Sequence, residues 1–158
     1  GLAANGALKI GDEIIIPNGE AVLAETPKGR LAENPVRGTN TLVYSGYYLK
    51  PLTVSVRTQG LHGFNGVDLA APSGTPILAS AAGIVVISKT GGWNGGYGNY
   101  IVVRHGNNTQ TLYAHTLENI VAAGQAVVQG QVIGYVGSTG QSTGSHVHFE
   151  VRGAKNPF

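Results

Sequence analysis

From Thr41 onward the sequence is cut into apolar, β-branched runs of three to six residues, separated by breaks rich in glycine, asparagine, serine and proline. This leaves no stretch in which apolar residues recur once per turn over several helical turns, so an amphipathic helix has nowhere to form. The runs are Pro76–Ala79, Gly83–Ile87, Tyr100–Arg104, Thr111–His115, Ala126–Val128, Val132–Val136 and His146–Val151. Each has the length and composition of a short strand, and the breaks between them carry turn residues. The 25 glycines follow no triplet period and 42% of residues are hydrophobic, which excludes a collagen-like or a disordered chain. Charged residues make up only 11%, too few for a coiled coil or helical bundle. The expectation is an all-β antiparallel domain over residues 42–158, sandwich-like or barrel-like.

The segment before it reads differently. Residues 1–18 end in Leu8-Lys9-Ile10-Gly11-Asp12-Glu13-Ile14-Ile15-Ile16-Pro17, an apolar triplet closed by proline, as in a short strand and its stop. This stretch resembles the last third of a LysM carbohydrate-binding module without the residues that would precede it, and an ordinary N-terminal strand fits equally. Residues 19–41 hold Pro27, Gly29, Pro35 and Gly38 among isolated charges, the composition of a linker or surface arm. The chain opens without methionine or signal peptide and is expected to be a piece of a longer protein, with any targeting signal upstream of Gly1.

Charge and cysteine content narrow the chemistry. Ten Lys and Arg against eight Asp and Glu give a net charge of +2, and the basic residues are scattered singly, so no nucleic-acid partner is expected. No apolar run approaches the roughly 18 residues of a transmembrane helix. The absence of cysteine removes disulfides, thiol catalysis and Cys-ligated zinc together. Nothing in the sequence speaks to oligomeric state.

All five histidines lie between positions 62 and 148. His146 and His148 are two apart in an evident strand, so both project from one face while Val147 and Phe149 point into a core. Asp68, flanked by Val67 and Leu69, is a carboxylate in apolar company that needs a cation or hydrogen-bond donors. His115 closes a strand, with Tyr113 expected on its face. Several imidazoles and one carboxylate gathered from separate strands are the ligand chemistry of a catalytic zinc, which takes three protein ligands and keeps one position open. His105, in a turn before Gly106-Asn107-Asn108, is expected to be solvated and outside the site.

Three blocks resemble the lysostaphin-type (LytM-type) zinc endopeptidases of bacterial cell walls. They are Asn65–Ile77 (NGVDLAAPSGTPI); Tyr97–Gly106 (YGNYIVVRHG) with Leu112–His115 (LYAH); and Gly130–Gly134 (GQVIG) with Gly137–Glu150 (GSTGQSTGSHVHFE). The resemblance implies a two-sheet β core with a groove across the larger sheet. It also implies Zn2+ as cofactor, and Asp68 and His148 as metal ligands. His115 and His146 would then be the histidines that handle the water and the tetrahedral intermediate, in an order the sequence leaves open. The family usually places a further ligand histidine four residues before the aspartate, where this chain has Phe64. His62, six residues before Asp68, takes that place here. The loop Gly63-Phe64-Asn65-Gly66 tolerates unusual backbone angles and can absorb the difference.

The function so implied is hydrolysis of the peptide stems or cross-bridges of bacterial peptidoglycan, in the cell envelope or outside the cell. Were His62 a bystander, the same fold would serve as a noncatalytic cell-wall binding or regulatory domain. Gly140-Gln141-Ser142-Thr143-Gly144 matches the nucleophile elbow of serine hydrolases, but that motif requires a following helix and a strand follows instead. The run Gly91–Gly96 lacks the lysine and helix of a phosphate loop, and reads as a groove wall presenting Trp93 or as a plain loop.

Overall fold

A computed structural model describes residues 42–158, so the expectations for residues 1–18 and 19–41 lie outside the described residues. Ten strands form two antiparallel sheets: β1 Val56–His62, β2 Gly66–Ala70, β3 Pro76–Leu78, β4 Gly83–Lys89, β5 Tyr100–His105, β6 Gln110–Ala114, β7 Thr116–Asn119, β8 Ala126–Val127, β9 Val132–Val136 and β10 His146–Arg152. The larger sheet runs β1-β2-β10-β6-β5-β4-β8, and the smaller β3-β9-β7. Among the described residues the helical content is a single 3-10 turn at Asn94–Gly96. The all-β, two-sheet expectation is what the molecule shows.

Period-two alternation builds the core. In β10, Val147, Phe149 and Val151 are fully buried, and they join Val67 and Leu69 of β2, Ile101 and Val103 of β5 and Tyr113 of β6. The smaller sheet closes over this face with Ile77 and Ile133. Burying an aromatic such as Phe149 stabilises the fold by about 1.5–3 kcal/mol. Because the inward face is spent on packing, the opposite face of the larger sheet is the one open to the alternate residues His146, His148 and Glu150.

Three strands were not legible as such. β1 reads VRTQGLH and carries no alternation because it is an exposed sheet edge. In β2 the apolar run is interrupted at its centre by Asp68, and β7 follows β6 with one residue between them. That residue is His115, whose φ of +62° lies in the left-handed region. It turns the chain from the larger sheet into the smaller and breaks the alternation, so Tyr113 faces the core while His115 faces the groove, not the same side as expected. His105 also departs from expectation. It lies outside the site, yet it is buried at 3% exposure rather than solvated. Its Nδ1–H donates to the Ala82 carbonyl at 2.9 Å and its Nε2 meets the Thr111 hydroxyl at 2.9 Å. The Thr111 hydroxyl lies 2.8 Å from that of Tyr113, which accepts from the Ser80 amide, so a buried polar chain is satisfied along its length.

Candidate active site

The register of the larger sheet assembles the site. β2 lies between β1 and β10, and Asp68 stands opposite Gln59 on one side and His148 on the other. His62 pairs with Gly66, His146 with Ala70, and His148 with Ala114 of β6. Side chains opposite one another in register share a face, so these groups converge. Asp68 Oδ1 lies 2.9 Å from His148 Nδ1, 3.3 Å from His62 Nε2 and 3.9 Å from His146 Nε2. One ligand atom each from His62, Asp68 and His148 falls within 4.8 Å of the others. The His115 and His146 rings stand 4.7 Å apart by centroid, and His115 and His148 6.1 Å. The structure therefore brings all five sequence-derived residues into one groove of about 530 Å³, which Phe64, Tyr97 and Gln141 also line.

A carbonyl oxygen can only accept a hydrogen bond, so each ring nitrogen facing one must carry a proton. His62 Nδ1–H donates to Gly60 O at 2.7 Å, His115 Nδ1–H to Thr139 O at 2.8 Å, and His146 Nδ1–H to Gly144 O at 2.8 Å. In the neutral tautomer all three rings thus keep an Nε2 lone pair. His148 is held the other way round, with Nε2–H donating to Glu150 Oε1 at 3.1 Å and Nδ1 toward Asp68.

Electrostatics follow from this packing. Burial works to raise the Asp68 carboxyl, but the His148 hydrogen bond and the surrounding imidazoles outweigh it and hold it below the ordinary value. Burial works against a charged His148, but the bonds to Asp68 and Glu150 push its imidazole up to about 9. Burial holds His115 below its ordinary value; the Thr139 carbonyl opposes this, and His146 and His148 add to it.

Two imidazole nitrogens and one carboxylate oxygen converging without a fourth protein donor, among the described residues, are the donor set of a catalytic zinc site. Phe64 cannot take part. It is half exposed on the groove wall, with the Arg152 guanidinium 5.9 Å from its ring centroid. The Gly63–Gly66 loop does carry the unusual angles its composition allows, with Gly63 at φ +53° and Asn65 at φ +62°.

A family model described as Peptidase family M23 matches residues 62–158, which begin at His62 and include every residue of this site. The chain belongs to peptidase family M23. Its blocks are thus those of the lysostaphin-type (LytM-type) peptidases. The M23 chain is 44% identical over 125 residues to "DD-carboxypeptidase/endopeptidase Mpg" of Neisseria meningitidis, covering 79% of this chain and 27% of that protein. It is 45% identical over 87 residues to "Peptidoglycan DD-endopeptidase ShyA" of Vibrio cholerae, covering 55% of this chain and 20% of that one. A solved zinc-containing peptidase from Vibrio cholerae superposes with a TM-score of 0.53 at 31% identity, over 74% of this chain and 37% of that one. The M23 chain thus spans about a quarter of the length of these curated relatives.

Sequence reasoning named the five residues that meet in this groove and missed the group behind them. Glu150 is fully buried, and besides His148 it accepts from the Tyr97 hydroxyl at 2.6 Å and from Arg152 Nε at 2.7 Å. The signal was present for two of these, since His146, His148, Glu150 and Arg152 occur at every second position of one strand. Tyr97, brought in from a distant loop, had none. Ser142, the would-be nucleophile, approaches His146 Nδ1 at 3.3 Å. That nitrogen already gives its proton to Gly144 and has no lone pair to activate a serine. Trp93 is not among the residues lining the groove, although Gly95 and Gly96 are.

Proposed function

We propose that this M23 domain is a zinc endopeptidase that cleaves peptide bonds in the stems or cross-bridges of bacterial peptidoglycan, working in the cell envelope or outside the cell. The observation that supports it is the meeting of two sets of side chains in one groove. His62, Asp68 and His148 offer converging metal donors, and beside them stand the rings of His115 and His146, each with Nδ1–H given to a main-chain carbonyl. The names of the relatives supply the substrate class, and no helix among the described residues is long and apolar enough to cross a membrane.

His62 through Nε2, Asp68 through a carboxylate oxygen and His148 through Nδ1 would hold the metal. When bound, zinc supplies Lewis acidity and makes water acidic enough to act as a nucleophile near pH ~7. The chain's own residues do the rest. His115 and His146 each have Nδ1–H committed to a main-chain carbonyl, so Nε2 is where each can take a proton and give one back. Between them they remove the proton of the attacking water and deliver one to the departing amine, and their protonated forms face the oxyanion. Such groups contribute about 10² to 10⁴ in rate each. The carbonyl partners fix the ring orientation before substrate arrives, which avoids reorganisation during reaction.

Digestion of purified peptidoglycan, with released fragments identified by mass spectrometry, tests the proposal. Metal-dependent release of peptides ending at a stem or bridge amide is expected. Unchanged sacculi after incubation with the zinc-loaded full-length protein would overturn it.

A further inference from the structure

His148 differs from the other histidines of the groove in where its second nitrogen goes. His62, His115 and His146 sit at strand ends or loop junctions and find a free main-chain carbonyl within 2.7–2.8 Å. His148 lies in mid-strand, flanked by β2 and β6, whose ladders engage the neighbouring carbonyls. An acceptor for its Nε2–H has to come from a side chain, and Glu150, two residues on and on the same face, supplies it.

That carboxylate is at 0% exposure, a costly place for a charge unless every lone pair is engaged. It is engaged on both oxygens: Oε1 accepts from His148 and Tyr97, and Oε2 from Arg152. The Arg152 side chain is 34% exposed and Tyr97 lines the groove, so the cluster reaches from the core to the cleft while its acid is at 0% exposure. On that same edge of the ring, a Cβ on Gly66 would come 2.5 Å from His148 Cε1, 2.8 Å from Nε2 and 3.4 Å from Glu150 Cγ. The Nε2 edge of the imidazole is therefore seated against a glycine that leaves room for it, beside the acid that accepts its hydrogen bond. Glu150 itself lies outside the convergent donor set.

We propose that Glu150 is a positioning residue for the metal centre: anchored by Tyr97 and Arg152, it holds His148 in the Nε2–H tautomer and so aims the Nδ1 lone pair at the space shared with His62 and Asp68. This rests on the zinc reading above. An acceptor behind a ligating imidazole fixes its orientation and increases its basicity, and loss of such a partner costs about 10- to 100-fold in metal affinity.

The test is zinc affinity by chelator competition on the wild type, Glu150→Ala and Glu150→Gln, with thermal melts alongside. The tautomer of His148 is read in parallel from imidazole 15N shifts of the metal-free wild type, at alkaline pH where the ring is neutral. Glu150→Ala is expected to weaken zinc binding about 10- to 100-fold. Glu150→Gln, which keeps an oxygen acceptor, should recover most of that loss, and the wild-type ring should carry its proton on Nε2. Zinc affinity unchanged in a folded Glu150→Ala would overturn the proposal, as would a wild-type ring protonated on Nδ1. Should Glu150→Ala fail to fold, the wild-type tautomer still decides. A wild type that binds no zinc while showing the Nε2–H tautomer would sink the metal reading and leave the seating of His148 by Glu150 standing.

Discussion

The rings of His115 and His146 stand 4.7 Å apart, and both give their Nδ1 protons to main-chain carbonyls of a single loop, at Thr139 and Gly144. At Nδ1 the pair is thus oriented by main-chain carbonyls, and the lone-pair-bearing Nε2 of each is set by the path of the backbone between β9 and β10. Neither ring belongs to the convergent donor set.

Removing either ring should therefore separate chemistry from metal binding. His115→Ala and His146→Ala are each expected to lower peptidoglycan hydrolysis by about 10²- to 10⁴-fold while zinc content stays at the wild-type level. Plasma mass spectrometry beside a hydrolysis assay checks both halves. Loss of zinc in either variant would mean that the two sets are not distinct.

The metal donors make the opposite prediction. His62→Ala should lose most of the bound zinc, because two donors remain where a catalytic site uses about three. Phe64→Ala should retain it, since that ring has no donor atom and sits 5.9 Å from the Arg152 guanidinium at the groove wall. Equal zinc in the wild type and His62→Ala would assign the first ligand to another residue.

The pH dependence of the metal-free protein has a definite sign. His148 is raised from 6.5 to about 9 in the folded state. Its contribution is present in full below the unfolded value and is lost as pH rises through the folded one. Stability of the chelator-treated protein should fall between about pH 6.5 and 9, by on the order of 3 kcal/mol. Metal binding runs the other way, because the ligand must first give up its Nδ1 proton. Zinc affinity should rise with pH, by up to about tenfold per unit from this one group, and level off near pH 9. Denaturant titrations and chelator competition over that range read both, and a flat profile in either would contradict the assigned environment of His148.

Gly66→Ala probes the seat of the same ring. The added methyl would overlap His148 Cε1 and Nε2 and press on Glu150 Cγ at 3.4 Å, so the ring has to leave the position in which Glu150 holds it. Zinc affinity is expected to drop sharply with a modest loss of thermal stability. A crystal structure of the variant with His148 unmoved would overturn this.

How much of this was legible beforehand depended on distance along the chain. The alternation in His146–Val151 announced a strand with one face for the core and one for chemistry, and β10 behaves that way. The choice of His62 over Phe64 drew on the glycines and asparagine between His62 and Val67, and that loop does adopt left-handed angles. What sequence could not supply was the partner of each side chain. Tyr97 reaches Glu150 across 53 residues, and Ala82 receives the His105 proton across 23. A turn histidine looks solvated until the strands that bury it are in place. The break at His115 was likewise hidden, because a single left-handed residue inside an apolar run leaves no compositional trace; histidine tolerates that region better than most residues.

The corner at His115 has one more consequence. His62, Asp68 and His148 all belong to the larger sheet and are tied together by its ladders, whereas His115 stands where the chain leaves that sheet for the smaller one. Any loosening of one layer against the other moves His115 relative to the three donors before it disturbs the donors themselves. Heat should therefore silence such an enzyme while its metal is still in place, leaving an interval of temperature in which the protein is loaded, largely intact and idle.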